Sequence, residues 1–140
     1  MQAYQTPEFA FMGKGFGSHA MKVGDLIYFS GWIPITPEGE LVTEIKAATV
    51  RTAGISYRVS LIPSQEQCIK NLGYSLKAAG SSWEKVVKTN VYLTDMKDFR
   101  AMNEAYMPLM PSPAPCRTCV QVAGLPKGSI VEIECIASAL

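Results

Sequence analysis

Residues 111–140 read PSPAPCRTCVQVAGLPKGSIVEIECIASAL, and the reading of this stretch decides the fold. The prolines give a rigid extended loop. Residues 117–123 then alternate and are rich in small and β-branched residues, so they predict a strand, and the V-E-I-E run predicts a second. Strand periodicity places Arg117 and Cys119 on one face of the first, and Glu132 and Glu134 on one face of the second. An arginine stays charged at ordinary pH and is costly to bury alone. Arg117 therefore reaches water, meets a protein carboxylate such as Glu132 or Glu134, or awaits a ligand that carries one. Which of the three holds is the functional question.

Working back from this pair, VVKTNVYL predicts a strand on its valine, threonine and tyrosine content. DMKDFRAMNEAYMPLM places Phe99, Met102, Tyr106 and Leu109 at helical spacing, a core stripe that Pro108 ends or kinks. SQEQCIKNLGYSLKAAG carries a second stripe, Ile69, Leu72, Leu76 and Ala79, ending at Gly80. Residues 18–35 predict a strand, a turn at Gly24 and Asp25, and another strand, with a turn at Pro37, Glu38 and Gly39 after it. The order β-β-α-β-α-β-β, with one more strand expected near Leu41 and Val42, predicts an α+β fold. It is a single two-layer domain over residues 1–140: a mixed sheet of about six strands covered on one face by two helices.

Residues 50–65 fit no period. Removing them joins EIKAAT to EQCIKNLGYSLKAAG and aligns Ile45, Ala48, Cys68 or Ile69, Leu72, Leu76 and Ala79 on one helical face. An amphipathic helix interrupted in this way reads as an insertion. The terminal codons of the segment fit the ends of a short in-frame intron, which comparison of genomic DNA with transcripts tests. The alternative is a genuine loop directed toward a cleft.

Composition bounds the function. With 48% apolar and 18% charged residues the chain is a folded globular protein rather than a disordered one. A formal charge of +1 without a clustered basic run excludes an electrostatic footprint for nucleic acid or for an anionic membrane. No stretch approaches a transmembrane helix, and no secretory signal is read at the start. A cytoplasmic protein is expected, with the mitochondrion and peroxisome left open. Cys116 and Cys119 form a C-x-x-C, yet residues three apart in a strand point to opposite faces, and no second pair or histidine pair completes a zinc site. Cys68, Cys116, Cys119 and Cys135 are expected to be buried structural thiols, with no metal and no cofactor.

Three segments then carry a resemblance: GDLIYFSGWIPITPEGELV, AAGSSWEKVVKTNVYLTDMKDFRAMNEAY and CRTCVQVAGLPKGSIVEIECIA. Together they resemble the Rid family, the reactive intermediate deaminases of YjgF type, over nearly the whole chain apart from residues 50–65. Taken alone G-x-L-P-x-G is weak; the ordered set S-G-x-I-P, V-V-K-T-x-V-[YF]-L-x-D-M-x-D-F and R-T-C-V-x-V-x-x-L-P is specific. The resemblance implies a chorismate-mutase-like subunit in a homotrimer with ligand clefts between subunits. It implies cofactor-free hydrolysis of 2-imino or 2-enamino acids to 2-oxo acids and ammonia. It assigns Arg117 to the substrate carboxylate and Glu132 to the attacking water, and lines the cleft with Ser30, Asn103 and Cys119.

The chain departs from that pattern near its start, where the family's glycine-proline-tyrosine-serine-glutamine run reads Gly15-Phe16-Gly17-Ser18-His19. The cleft tyrosine has become Gly17, and Trp32 replaces the commoner glutamine of S-G-x-I-P. Both changes suggest a remodelled cleft and a bulkier substrate. His19, the lone histidine, offers either acid-base chemistry or, more ordinarily, a structural role. Two further readings compete with the deaminase: a related enzyme serving a biosynthetic pathway, and a non-catalytic trimer that binds small carboxylates.

Overall fold

A computed structural model of the chain describes residues 1–12, 17–43, 46–52, 55–61 and 63–140. Six strands form one sheet: β1 (Gln2–Tyr4), β2 (Ala20–Val23), β3 (Leu26–Trp32), β6 (Val86–Leu93), β7 (Cys116–Gln121) and β8 (Val131–Ser138). Their order across the sheet is β1-β2-β3-β8-β6-β7. Only the β6–β7 pair is parallel, so the sheet is mixed as expected. The helices α1 (Pro63–Ala78) and α2 (Phe99–Tyr106) link β3 to β6 and β6 to β7. β3 and β6 each run antiparallel to β8, hence parallel to one another. Both helical crossovers thus step the same way across the sheet. Right-handed crossovers that step the same way deliver both helices to one face and leave the other bare.

Burial follows that geometry. Along β8 Val131, Ile133, Cys135 and Ala137 are buried while Glu132, Glu134 and Ile136 alternate with them on the opposite face. The helix-side residues pack with Ile27, Phe29 and Trp32 of β3 and with Cys68, Ile69, Leu72 and Leu76 of α1. α1 ends where the sequence predicts. The Ser81 N–H donates to Leu76 O at 2.8 Å and the Gly80 N–H to Lys77 O at 3.0 Å, with Gly80 at φ 71°, a left-handed cap that suits glycine. Asn71 of α1 donates to the carbonyls of Ile33 and Ile35, tying the helix to the chain leaving β3.

Four expectations change. Gln2–Tyr4 adds an edge strand whose three residues are too short to show a period. Leu41 forms only an isolated bridge with Ile35 rather than a strand. In α2 only Met102 and Tyr106 are buried, and Phe99 and Leu109 are 37% and 49% exposed. That helix stops at Tyr106, with Pro108 in the following turn. Finally, β4 (Lys46–Thr52) and β5 (Ile55–Leu61) pair as a separate antiparallel ribbon, so the helical stripe does not run back through residues 46–49. Residues 53, 54 and 62 of the predicted 50–65 insertion, like Ile45 of the stripe, lie outside the described residues.

Candidate functional site

Register fixes where each site residue points. Arg117 pairs with Thr89 and Cys119 with Val91, and both β6 residues are buried on the helix side. Glu132 pairs with Tyr92 and Glu134 with Asn90, on the bare side. Arg117 and Glu132 therefore stand on opposite faces of one sheet. Among the described residues no ion pair joins Arg117 to a carboxylate, which rules out the internal salt bridge within this chain.

Arg117 is held by α2 instead. Its Nη1 donates to Asn103 Oδ1, at 2.6 Å, and its guanidinium carbon lies 4.6 Å from the centre of the Tyr106 ring and 5.8 Å from that of Phe99. Tyr106 is in turn fixed by a 2.7 Å hydrogen bond between its hydroxyl and Thr89. Arg117 Nε and Nη2 are buried and, among the described residues, have no hydrogen-bond partner. These two nitrogens share one edge of the planar guanidinium, the edge that grips a carboxylate side-on with two parallel N–H bonds. Cys119 lies half-buried on the same face, its thiol pushed up chiefly by burial and only partly offset by the Arg117 charge, so it stays protonated at neutral pH. That makes it a wall. Of the other thiols Cys68 and Cys135 are buried, but Cys116 is exposed because it lies on the bare side of the edge strand.

On the bare face the two glutamates differ. Glu134 accepts hydrogen bonds from Asn90 Nδ2 and Tyr92 Oη, both at 2.8 Å, and the Tyr92 hydroxyl is pushed up to about 12, first by that bond. Glu132 makes no hydrogen bond among the described residues and is half-buried. Burial, and secondarily the Glu134 charge, raises its pKa above the ordinary carboxylate range. A half-desolvated carboxylate without a donor on it is a better proton acceptor than its hydrogen-bonded neighbour.

The strand β3 is irregular where it passes Glu132. Its register with β8 shifts between Phe29 and Trp32, a bulge that contains Ser30 and Gly31. Ser30 Oγ donates to Ser18 O at 2.8 Å, and the Ser30 N–H to His19 O at 2.9 Å, so the bulge is tied to the segment before β2. A cavity of about 560 Å³ opens there, lined by Gly17, His19, Ser30, Gly31, Trp32 and Lys127 among others. Gly17 has φ 118°, a backbone that disfavours a side chain, and among the described residues nothing lies within 4 Å of where a Cβ would stand.

His19 lines the cavity, and among the described residues its buried Nε2 has no hydrogen-bond partner. It is 6% exposed, its Nδ1 accepts the Thr6 N–H at 2.8 Å, and burial lowers its pKa, which keeps it neutral. Trp32 is 1% exposed in the core, packed between Phe9 at 4.6 Å and His19 at 5.0 Å ring to ring. Its indole bulk supports the cavity floor rather than projecting into it.

The predicted residues thus form two groups in one chain: Arg117, Asn103 and Cys119 on the helix side at the sheet edge, and Glu132, Ser30 and Gly17 around the bulge. Sequence reasoning missed Tyr106 as the ring under the guanidinium and Gly31 as the neighbour of Glu132; the position of Tyr106 one turn after Asn103 was the available signal for the first. Among the described residues no three or more of His, Cys, Asp and Glu gather as they would around a metal.

Known proteins match this chain throughout. The family model described as Endoribonuclease L-PSP matches residues 14–139. The mouse 2-iminobutanoate/2-iminopropanoate deaminase is 40% identical over 121 residues, 86% of this chain and 78% of that protein. The chloroplastic Reactive Intermediate Deaminase A of Arabidopsis thaliana is 38% identical over 122 residues, 86% of this chain, and this chain spans only 57% of its length. Among solved structures, RidA from the Antarctic bacterium Psychrobacter sp. superposes with a TM-score of 0.80 at 38% identity, over 99% of each chain. The YjgF gene product of E. coli gives 0.80 at 27% identity, over all of both chains. The two-layer sheet, the order of its motifs and these matches agree that the chain belongs to the Endoribonuclease L-PSP family, the YjgF/RidA group.

Proposed function

We propose that this protein is an imine deaminase, a hydrolase that converts 2-imino and 2-enamino acids to 2-oxo acids and ammonia without a cofactor. The observation that carries the reading is the unoccupied Nε/Nη2 edge of Arg117. A buried guanidinium edge without an acceptor is costly unless a carboxylate arrives, and 2-imino acids carry one beside the reacting carbon. Gripping it side-on fixes the plane of the substrate, which is the positioning part of catalysis. Glu132 then takes a proton from water as the oxygen bonds to C2. The C=N π electrons move to nitrogen and leave a carbinolamine. The same carboxyl returns the proton to nitrogen, the C–N bond breaks toward ammonia, and the hydroxyl closes to the 2-oxo group as its proton is lost. The mouse and human relatives named for 2-iminobutanoate and 2-iminopropanoate support this chemistry.

Because Arg117 and Glu132 occupy opposite faces, a complete site in this reading takes one from each of two subunits. The bare sheet face supports such an assembly: Val23, Leu26, Tyr28 and Val120 are each at least 37% exposed there, an apolar patch that a second copy covers. A homotrimer with inter-subunit sites is the expected state. The family model's description names an endoribonuclease, but the near-neutral charge gives RNA cleavage no electrostatic support. Relatives carry chloroplastic and mitochondrial names, so the compartment is a matter for fractionation; among the described residues no helix is long and apolar enough to cross a membrane.

The test generates 2-iminobutanoate in situ and follows its loss with a semicarbazide trap, for the wild type and for Arg117→Ala. Acceleration that the variant loses supports the reading, and a trimeric wild type that accelerates nothing sinks it. A second reading, a bulkier substrate, draws on the open space at Gly17 and the size of the cavity. About 560 Å³ lies in the range of pockets that enclose drug-sized ligands and exceeds the need of a four-carbon acid. Imino acids with aromatic side chains, run in the same assay, discriminate between the two.

A further inference from the structure

Gly31 lies in the bulge between Phe29 and Trp32, and its φ is not in the left-handed region, so its backbone does not call for glycine. The space beside it does. A Cβ built on Gly31 would overlap Glu132 Oε1, and would stand 2.8 Å from Glu132 Cδ and 3.0 Å from Cγ. Among the described residues the three nearest atoms to that position all belong to the Glu132 side chain. The carboxylate of Glu132 therefore lies against the Gly31 Cα, and Gly31 itself lines the cavity.

We infer that Gly31 is a positioning residue for the general base: the missing side chain makes the seat in which the Glu132 carboxylate is held against the β3 bulge. The bulge supplies the close approach of β3, and glycine keeps the vacancy that the carboxylate fills. A methyl group at this position meets the Glu132 carboxylate first and displaces it. The contacts it would break are with the far end of a flexible side chain, so the fold can yield while the base cannot stay. This inference rests on the reading of Glu132 as general base, but its geometric half stands apart from any activity.

The test uses the full-length protein as Gly31→Ala, Glu132→Gln and the double variant. The first readout needs no substrate: titration of the Glu132 carboxyl by NMR. In Gly31→Ala its midpoint falls toward the ordinary range as the group swings to water. The second is imine hydrolysis: Gly31→Ala lowers kcat roughly 10- to 100-fold with KM little changed, shifts the acid limb of the pH profile, and adds nothing further in the Glu132→Gln background. If Gly31→Ala folds poorly, Glu132→Asp in the same background, one methylene shorter, restores the melting temperature. An unchanged Glu132 titration, an equal loss with and without Glu132, or no relief from Glu132→Asp each overturns the inference. A wild type inactive on imines but with a shifted titration in Gly31→Ala overturns the deaminase reading and leaves the seat intact.

Discussion

Arg117 and Glu132 belong to strands of one sheet separated by β6 alone, yet their side chains leave from opposite faces, Arg117 with Thr89 toward the helices and Glu132 with Tyr92 toward the bare side. In the proposed reading one substrate meets Arg117 of one subunit and Glu132 of another. Complementation tests this directly. Arg117→Ala and Glu132→Gln homo-oligomers are each expected to lose at least roughly 100-fold in kcat/KM. When the two are unfolded together and reassembled, about a quarter of sites in random mixtures pair a wild-type arginine with a wild-type glutamate across an interface. Activity near that fraction supports the shared site. Mixed oligomers as inactive as their parents would place both residues in one subunit's site.

Glu132 predicts a pH signature with two parts. Its folded pKa is raised by burial and by Glu134, so activity that needs the carboxylate falls away as pH drops through a value above the ordinary carboxylate range. For stability the sign is the reverse of a salt-bridged acid. The folded state binds the Glu132 proton more tightly than the unfolded chain does, so stability declines as pH rises from the ordinary pKa to the raised one. Glu132→Gln is therefore expected to melt roughly 1–3 °C higher than the wild type at neutral pH. The difference vanishes well below the ordinary pKa, and calorimetry at the two pH values measures it.

We propose a structural role for His19, with a corresponding prediction. Its Nδ1 accepts the buried Thr6 N–H, and removing that acceptor leaves an unsatisfied donor, worth about 1–3 kcal/mol. His19→Phe should lose that much in denaturant unfolding while the pH profile of kcat keeps its shape. Because burial lowers the His19 pKa, the unfolded chain takes up protons first. Its contribution to stability is present above the ordinary imidazole value and fades as pH falls through it toward the lowered one. A changed kcat profile in His19→Phe would return the residue to the chemistry.

The alternation of V-E-I-E and the stripe at Ile69, Leu72 and Leu76 were legible because one face of each is buried, and the period is the record of that burial. Likewise Arg117 and Cys119 could be put on one face of their strand from spacing alone. The relation between the two strands' faces could not. It depends on β6 lying between β7 and β8, a long-range pairing that leaves no trace in local spacing. Phe99 misled because a helical period says which residues share a face but not whether the sheet extends beneath them. The seat at Gly31 was hidden for a related reason: glycine in S-G-x-I-P reads as a bulge or a close approach, but what approaches is set by the register with β8.

The last prediction concerns residues 50–65, which we propose are an insertion into the first helix. α1 begins at Pro63 inside this segment, and its first turn fits badly. Ser64 and Gln65 are 1% and 0% exposed, and among the described residues Ser64 Oγ and both amide atoms of Gln65 lack hydrogen-bond partners. Unsatisfied buried polar groups cost about 1–3 kcal/mol each. From Cys68 onward the same helix is well made, with Cys68, Ile69, Leu72 and Leu76 all buried. Deleting residues 50–65 removes the orphaned groups and joins Ile45 and Ala48 to that stripe. The shortened chain is expected to show one to two further turns of helix, on the order of 4–7 residues by circular dichroism. It should also melt higher than the full chain and keep or gain imine hydrolysis. A deletion that aggregates, or melts lower with no gain in helix, would show that the β4–β5 ribbon and its link to α1 belong to the working fold.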